Sequence, residues 1–388
     1  MESDKFFDQV EQWLFRSCLP FWAAHGPDRE YGGFIEDLTL DGADAARDFK
    51  RVRVPCRQVY AFSHAKVLGF DDGAPLIMDG VEYLATRAWM PEKQAFARRL
   101  TRSGDVLDDT IDLYEHAFAL FAFAWAYRAT GEAACAQWAG KTADAIERHL
   151  RARGTQGFHH QTPAEGWRQQ NPHMHLLEAS LAAYEFLGDE RYGDFAREVV
   201  GLFRSKFLDR EKQTLTEFFH NDWSRAPGEP GEIVEPGHHY EWAWILHRCA
   251  AVLGEDFSAE IDALVGFANA HGVDPHSHAA RNCISRAGEI IDGGSRTWPN
   301  TERVKAGVVL LEGGDMAGAE MVRQSAGLLL TRYLSSSAGV QIPAGGWIDA
   351  FDADGRPAAK LMPASTLYHV VLAFVETLRV RDLIAGKG

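Results

Sequence analysis

Cysteine is scarce in this sequence, and its cysteines do not cluster. The five residues are odd in number, and no two of them form a Cys-x-x-Cys motif. They are Cys18, Cys56, Cys135, Cys249 and Cys283. Such wide spacing argues against a disulfide framework and against a structural zinc site. We therefore expect thiols that stay reduced.

Motifs of cofactor and nucleophile chemistry are also missing. The sequence has no Walker phosphate-binding loop, no Gly-x-Gly-x-x-Gly dinucleotide fingerprint and no nucleophile-elbow motif. Phosphoryl transfer, hydride transfer to NAD and acyl transfer therefore lose support as the reaction of this protein.

Long apolar runs and basic runs are absent as well. No stretch of about 18 apolar residues occurs, as a membrane-spanning helix would need. Residues 1–7 are charged and lack the apolar core of a secretory signal. The formal charge of −15, without any Lys/Arg cluster, argues against nucleic acid and anionic membranes as partners. We therefore expect a cytoplasmic enzyme.

The sequence does contain helix-period apolar patterning from end to end. Apolar residues recur at three- and four-residue spacing, which predicts twelve helices. Their approximate ranges are 4–23, 55–70, 75–91, 110–130, 132–152, 172–187, 189–208, 237–254, 257–271, 299–313, 316–335 and 363–384. The links after even-numbered helices are short, whereas the links before them are long and rich in Gly, Asp and aromatic residues.

The repetition of helix pairs predicts a closed barrel. A pair recurs about every 65 residues, so each pair must bury its apolar face against its neighbours. Two long links, residues 32–42 and 345–355, resemble each other, and each predicts a short hairpin with an Asp-Gly type turn. We predict one all-α domain over residues 1–388, an (α/α)6 barrel with short β-hairpins in its long loops. An open solenoid is the rival, but its loops are usually shorter and more uniform.

Unusual polar residues fall on every second predicted helix, near the end that follows a long loop. They are Arg57, Tyr114, His116, Asn171, His175, His238, Glu241, Glu302 and His369. If the even-numbered helices form the inner ring, these side chains converge at one mouth of the barrel, at the positive ends of helix dipoles. His238 and Glu241 are three residues apart and so share one helix face, beside Trp242 and Trp244.

Each of these residues also has an ordinary structural explanation. A helical histidine is more often a hydrogen-bonded structural residue, and His116 fits that explanation well. Arg57 is compatible with a partner for buried carboxylates, and Glu302 with a cap of its helix. Joint placement favours a functional site, because independent structural histidines have no reason to select every second helix.

The residue types suit proton transfer on a sugar. Histidines with an ordinary pKa near 6.5 exchange protons at neutral pH, and an arginine stabilises the oxygens of an enediolate. Aromatic walls suit the apolar faces of a sugar ring. We expect no metal, because the loop histidines lack further ligands at suitable spacing. These loop histidines are His159, His160, His276 and His278.

A glycoside hydrolase on the same barrel is the main alternative from another enzyme class. It would need two carboxylates roughly 5–10 Å apart across the glycosidic bond, for which Glu241, Glu302 and Asp349 are candidates. That assignment leaves the histidines without a role. A sugar-binding protein without catalysis leaves them unexplained for the same reason.

Four segments occur together in an order typical of one enzyme family. They are Asn171-Pro-His-Met-His175-Leu-Leu-Glu-Ala, Pro236-Gly-His238-x-x-Glu241-Trp-x-Trp, Trp298-Pro-x-x-Glu302 and Ser365-x-x-Tyr-His369. From about residue 30 to residue 375 the chain resembles the N-acylglucosamine 2-epimerase superfamily. This superfamily includes cellobiose 2-epimerases, mannose 2-epimerases and aldose–ketose isomerases of the mannose–fructose type. The resemblance implies an (α/α)6 barrel and a reaction without redox cofactor or metal.

The resemblance also implies roles for individual residues. His238 and His369 match the two histidines that act as acid and base at C2 and during ring opening. His175 matches a third histidine that contacts the substrate, and Arg57 matches the arginine that holds the C1–C2 oxygens. Substrate-binding or supporting positions are the remaining matches: Asn171, Tyr114, Glu241, Glu302 and Trp298. Glu241 is expected to orient or polarise His238.

Three further motifs are most similar to the mannose isomerase branch of that superfamily. They are Asp112-Leu-Tyr-Glu-His116-Ala-Phe, Arg296-x-Trp-Pro-x-x-Glu302 and Lys360-x-Met-Pro-Ala-Ser. We therefore predict isomerisation of D-mannose, or a mannose-like sugar, to D-fructose through an enediolate, with a monosaccharide or disaccharide as substrate. A 2-epimerase of N-acylglucosamine, mannose/glucose or cellobiose type is the alternative, because both histidines are present. Residues 218–236 depart from the family pattern, and Arg225 is the nearest candidate for an arginine that some isomerases supply there.

Overall fold

Twelve long helices account for most of residues 2–386, the part of the chain that the computed structural model describes. They are α1 (Glu2–Gln12, Trp13–Cys18 and Leu19–His25), α2 (Arg53–Val67), α3 (Ala74–Tyr83 and Leu84–Ala88), α4 (Leu113–Thr130), α5 (Ala133–His149), α6 (Asn171–Leu187), α7 (Glu190–Leu202 and Phe203–Phe207), α8 (Pro236–Leu253), α9 (Ser258–His271), α10 (Thr297–Glu312), α11 (Ala317–Leu328 and Leu329–Tyr333) and α12 (Leu367–Arg379). A helix given in several ranges contains a π-helical turn. Short helical turns also occur at Glu229–Glu232, Ala364–Thr366 and Arg381–Ile384.

The even-numbered helices form the inner ring of an (α/α)6 barrel, as predicted. Each of α2, α4, α6, α8, α10 and α12 packs on the next, and α12 packs on α2 to close the ring. The odd-numbered helices pack around it, each against an inner helix. Helices such as α4 are buried on nearly every side, so they are apolar all round rather than amphipathic.

Local sequence signals place the helix ends. Gly131, Gly188 and Gly254 end α4, α6 and α8 in the left-handed conformation, with φ between 71° and 73°. Glycine adopts that conformation without a Cβ penalty, so the following link can be short. Pro172 and Pro236 lie in the first turns of α6 and α8, where a missing N–H costs nothing.

Short antiparallel strand pairs join the six long loops into a second ring at one end of the barrel. Each pair connects one loop to the next: Phe49–Arg51 with Arg99–Thr101, Ile111–Asp112 with Gln161–Thr162, Arg168–Gln169 with Phe218–Phe219, Ile233–Val234 with Cys283–Ser285, Ser295–Arg296 with Ala350–Phe351, and Leu361–Pro363 with Asp37–Thr39. The last pair connects the sixth loop to the first, so the loops close on themselves as the helices do.

Several hairpins also lie within single loops. They pair Trp89–Met90 with Ala95–Phe96, Arg99–Thr101 with Val106–Asp108, Leu208–Asp209 with Thr214–Leu215, and Cys283–Ser285 with Ile290–Asp292. The two predicted hairpins are present as well. In the first, the N–H of Thr39 donates to the Ala43 carbonyl at 2.8 Å, and in the second the N–H of Asp352 donates to the Arg356 carbonyl at 2.9 Å. Their strands also pair with neighbouring loops, Asp37–Thr39 with Leu361–Pro363 and Ala350–Phe351 with Ser295–Arg296.

The described part of the chain contains no helix that is long and apolar enough to cross a membrane.

Candidate active site

The predicted residues occupy the first two turns of the inner helices and meet at one mouth of the barrel. Direct contacts connect them in series: Arg57 with Tyr114, Tyr114 with His175, Asn171 with His238, His238 with Trp298, Trp298 with His369, and His369 with Glu302. Glu241 completes the group, since its carboxylate lies within 4.8 Å of ligand atoms of Glu302 and His369. The structure therefore gathers the whole predicted set in one place.

His238 lies beside a carboxylate at the start of α8. Its Nδ1 is 3.0 Å from both carboxylate oxygens of Glu217, a buried residue of the fourth loop. Burial by itself lowers the pKa of His238, but the carboxylates of Glu217 and Glu235 outweigh burial and raise it to about 10. His238 is therefore protonated at neutral pH.

Asn171 contacts the other nitrogen of His238. Asn171 Nδ2 and His238 Nε2 are 3.2 Å apart, while Asn171 Oδ1 is buried without a hydrogen-bonding partner in residues 2–386. A protonated imidazole donates from both nitrogens, so the carboxamide must present Oδ1 rather than Nδ2 to it. Rotation of the carboxamide exchanges its oxygen and nitrogen, and Asn171 Oδ1 then accepts from the Nε2–H of His238.

His369 lies in the opposite electrostatic environment. Its Nδ1 is 2.7 Å from Oε1 of Glu302, and its ring is 5.7 Å from that of Trp298. Burial, together with the positive charges of Arg57 and Lys305, lowers the pKa of His369 well below 6.5. A carboxylate only accepts, so Nδ1 carries the hydrogen and Nε2 keeps a free lone pair. His369 is therefore a neutral base at neutral pH.

A buried lysine balances the carboxylates beneath His369. Lys305 Nζ is 2.5 Å from Oε2 of Glu302 and lies 4.6 Å above the ring of Trp244. Burial and the neighbouring carboxylate of Glu302 raise the pKa of Glu241 well above its ordinary value, so Glu241 stays protonated.

Among the described residues, one group of three has metal-ligating atoms close enough to share an ion. It consists of Glu241, Glu302 and His369. Glu302 already uses one oxygen for His369 Nδ1 and the other for the Lys305 ammonium. The lysine thus supplies the positive charge that a cation would otherwise provide, and the trio does not fit a metal site.

His175 and Arg57 form the opposite wall of the site. His175 Nδ1 is 3.3 Å from Oε2 of Glu178, and burial lowers the pKa of His175 to about 4. Arg57 donates to the hydroxyl oxygen of Tyr114 at 2.7 Å and to the carbonyl oxygen of Ser365 at 3.2 Å. These contacts fix the guanidinium and leave further N–H groups for a ligand.

Two cavities reach part of the site. One of about 370 Å³ is lined by Arg57, Trp298 and His369, and the other, of about 550 Å³, by Tyr114 and Asn171. Because Tyr114 contacts Arg57, the two cavities lie on either side of that contact. Their size suits a monosaccharide or a disaccharide.

Two expected contacts are corrected by the structure. The partner of His238 Nδ1 is Glu217 and not Glu241, because the fourth loop folds over the first turn of α8 and brings Glu217 closer. Arg225, in the same loop, forms an ion pair with Glu232 and donates to the Gly231 carbonyl. Arg225 therefore serves the loop itself and lines neither cavity.

Structural histidines also occur on every second helix, although we expected them to show no such preference. His116, His173 and His239 are buried at the starts of α4, α6 and α8, and each accepts a hydrogen bond from a loop N–H, that of Phe96, Phe158 and Leu215. Burial lowers the pKa of His116 to about 4 and that of His173 to about 3, so both rings stay neutral acceptors. Every inner helix begins beneath a loop, and so structural histidines also select every second helix.

Several residues of the site were not predicted. Glu178 and Lys305 follow His175 and Glu302 by three residues, and a charged residue one turn further along a buried helix was the available signal. Tyr368, whose hydroxyl donates to Glu178 at 2.6 Å, directly precedes His369. Glu217 lies in a loop without periodicity and had no comparable signal.

Comparison with known proteins gives concordant matches. The sequence model of the family described as N-acylglucosamine 2-epimerase (GlcNAc 2-epimerase) matches residues 33–373. A mannose-6-phosphate isomerase of Rhizobium meliloti (strain 1021) is 34% identical over 379 residues, which cover 95% of each chain. A cellobiose 2-epimerase of Bacteroides fragilis is 27% identical over 276 residues, 66% of this chain and 69% of that one. The solved cellobiose 2-epimerase of Bacillus thermoamylovorans B4167 superposes with a TM-score of 0.86 at 21% identity, over 97% of this chain and 99% of that chain, a likeness of fold.

Proposed function

Because the chain belongs to the N-acylglucosamine 2-epimerase family, and is therefore an isomerase or epimerase that acts on sugars, we propose that it interconverts an aldose and the corresponding ketose. The aldose we propose is D-mannose or a mannose-like sugar, and the ketose from D-mannose is D-fructose. The observation that carries this proposal is the pair of histidines in opposite charge states. Their rings lie 5.3 Å and 5.7 Å from that of Trp298.

The proposed reaction is a proton transfer through an enediolate. With the sugar in its open form, Nε2 of His369 removes the proton from C2, and the N–H groups of Arg57 hold O1 and O2 as negative charge develops there. His238 delivers a proton to O1 and recovers one from O2. Protonated His369 then returns its proton to C1, so the aldose becomes the ketose with no net change in the enzyme.

Supporting residues keep these groups in their reactive states. Glu217 holds the proton on His238, and Glu302 holds Nδ1–H of His369 so that its Nε2 faces the sugar. Trp298 lies between the two imidazoles and provides an apolar surface for the sugar. We assign binding or supporting roles to Tyr114, Asn171, His175 and Glu241 on the same grounds of contact.

Epimerisation at C2 is the second candidate outcome. It requires proton delivery to the opposite face of C2, and protonated His238 has the charge state for that step. The two outcomes are separated by incubating the enzyme with D-mannose in D2O and following the sugars by NMR. We expect deuterated fructose to appear first. If glucose appears first, the reaction is epimerisation and not isomerisation. If no sugar exchanges hydrogen for deuterium and glycosides are cleaved instead, both reactions are excluded.

A sugar phosphate is the second candidate substrate. Arg51, Arg99 and Arg296 line the same cavity as Arg57 and His369, although the whole chain carries a charge of −15. Each of the three also contacts a carboxylate, but a guanidinium has five N–H donors and can bind a phosphate as well. The relative from Rhizobium meliloti is named for mannose 6-phosphate.

The two substrates are compared by kcat/KM on D-mannose and on D-mannose 6-phosphate. If the phosphate binds these arginines, Arg296→Gln should lower kcat/KM for the phosphorylated sugar by about tenfold or more and leave D-mannose nearly unchanged. Arg356→Gln, a solvent-exposed arginine paired with Asp354, is the matched control. Equal decreases in kcat/KM on both sugars would show that Arg296 does not recognise the phosphate group.

A further inference from the structure

A second cavity lies at the end of the barrel opposite the mouth. It has a volume of about 480 Å³ and is lined by residues from all six inner helices, at and beyond their midpoints. Val67, Arg128 and Arg379, from the last turns of α2, α4 and α12, are among them, so the cavity opens where the inner helices end. The proposed reaction at the mouth makes no use of it.

The walls of this rear cavity are aromatic. Tyr60, Phe121, Trp125, Phe186 and Trp244 all line it. Flat apolar faces of this kind bind the C–H faces of ring-shaped ligands, in the way that ligand pockets combine aromatic walls with a few polar groups. The wall therefore favours a ring over an extended or flexible ligand.

Polar groups of the rear cavity are available for hydrogen bonds. The Trp125 indole N–H is buried and has no hydrogen-bonding partner within residues 2–386. The His64 ring lies 4.3 Å from that of Trp125, tilted by 33°, and shares a hydrogen bond of 3.0 Å with the Tyr60 hydroxyl through Nδ1. Burial lowers the pKa of His64 to about 4, so the ring is neutral and can both donate and accept.

Most charges at the rim of the rear cavity are already paired, and among the described residues the exception at this rim is the solvent-exposed Arg128. Arg248 contacts Glu185 at 2.7 Å, and Arg379 contacts Glu312 at 2.5 Å. Paired charges offer little to an ionic ligand, because binding one would break an existing ion pair. The paired part of the rim therefore favours a neutral ligand with its own hydroxyl groups, to whose oxygens the Arg128 guanidinium can also donate.

We propose that the rear cavity is a second carbohydrate site, which binds a neutral monosaccharide ring between Trp125 and the facing aromatic wall. The ring's C–H faces contact the aromatic side chains, and its hydroxyls accept from the Trp125 N–H and bond to the His64 imidazole. This site is separate from the mouth, so it binds sugar without converting it.

One residue connects the rear cavity to the mouth. Glu178 lines the rear cavity, and its carboxylate accepts from the Tyr368 hydroxyl at 2.6 Å and contacts His175 Nδ1 at 3.3 Å. A sugar in the rear cavity therefore lies one side chain away from the reaction site. Binding at the two sites is expected to be coupled, and equally so in both directions.

The test measures binding of methyl α-D-mannopyranoside, whose ring is locked and cannot isomerise, by equilibrium dialysis of the full chain. We expect two equivalents bound per wild-type chain. Trp125→Phe keeps the ring and removes the N–H, and should weaken one of the two sites by about fivefold. Ala182→Phe, which places a ring in the rear cavity, should abolish that site and leave the other.

Trp138→Phe is the matched control, because Trp138 lies on the outer helix α5 away from this cavity. It should retain both sites. Bound sugar, whether one equivalent or two, that neither Trp125→Phe nor Ala182→Phe changes would overturn the proposal, as would the absence of any binding. Since the probe is not converted, its binding does not depend on which reaction the mouth catalyses, and a failure here is distinct from a failure of the proposed isomerisation.

Discussion

Two histidines in one site are held in opposite charge states by their immediate neighbours. His238 is surrounded by carboxylates, of which Glu217 is in contact, and its pKa is raised. His369 is buried near Arg57 and Lys305, and its pKa is lowered. The same residue type thus occurs once protonated and once neutral, because the net charge around each ring decides whether the proton stays.

These charge states predict the pH dependence of the reaction. His369 must be neutral to accept a proton, so its lowered pKa places the acid limb of kcat well below pH 6.5. His238 must be protonated to donate, so its pKa of about 10 places the alkaline limb near pH 10. We expect kcat for D-mannose to be level between these limits. An alkaline limb near neutrality would contradict the assignment of His238 as the acid.

Glu217 is expected to set that alkaline limb. Glu217→Gln removes the contacting carboxylate, so the limb should move to lower pH by about 1–3 units. Glu232→Gln is the matched control, because Glu232 lies in the same loop but is paired with Arg225 at the surface. The measurement is kcat against pH for the three proteins. An unchanged limb in Glu217→Gln would mean that another group holds the proton.

The main residues of the site could be predicted from the sequence, but some of the residues that contact them could not. His238, His369 and Arg57 stand out because polar residues on fully buried helices are unusual. Glu217 acts from a loop that is distant in sequence from the helix it serves. Its contact depends on how that loop folds over the helix, and sequence spacing does not encode that path.

At the scale of secondary-structure elements, the first turns of an inner helix have two roles. They present residues to the mouth, and they anchor the loop that covers them. In α4, α6 and α8 a histidine is the anchor, and in α10 Asn300 takes this place by accepting from the Ala280 N–H at 2.9 Å. Side chains that belong to the mouth and side chains that anchor a loop therefore lie within a few residues of each other, as His175 and His173 do.

Loss of an anchor should cost stability rather than catalytic chemistry. His173→Ala leaves the buried Phe158 N–H unsatisfied and opens a cavity, so the free energy of unfolding should fall by roughly 2–4 kcal/mol. His247→Ala, which removes a partly exposed histidine on α8, should cost less than about 1 kcal/mol. Urea denaturation measures both. Equal effects of the two substitutions would contradict the anchoring role.

Helices were easier to predict than strands for a physical reason. A helix closes its hydrogen bonds within its own segment, so apolar period and glycine caps such as Gly131 and Gly188 are enough to locate it. A strand of two or three residues has its partner elsewhere. The strand Asp37–Thr39 pairs with Leu361–Pro363, more than 300 residues away, and no local pattern indicates this.

At the scale of the whole molecule, both ends of the chain meet at the closure of the ring. Trp22, on α1, donates from its indole N–H to the Gly345 carbonyl at 3.1 Å, and its ring stacks 4.4 Å from that of Trp347 in the sixth loop. Beside it, the first and sixth loops share a strand pair. The repeat of helix pairs predicted that such contacts exist, because a ring of six pairs must join its last pair to its first. It did not predict which residues make them.

A closed ring should transmit a local loss of packing around its whole circumference. Trp22→Ala removes a fully buried ring and its hydrogen bond, and we expect a loss of about 3–5 kcal/mol in the free energy of unfolding. In an open array, each repeat contacts only its neighbours and the damage would stay near the end. In this barrel, amide hydrogen exchange in the buried core of α8, across the ring from Trp22, should accelerate by a similar free energy as in α12. Acceleration confined to α1 and α12 would show instead that the ring unfolds in separate parts, and that its closing contacts contribute little to the stability of the mouth.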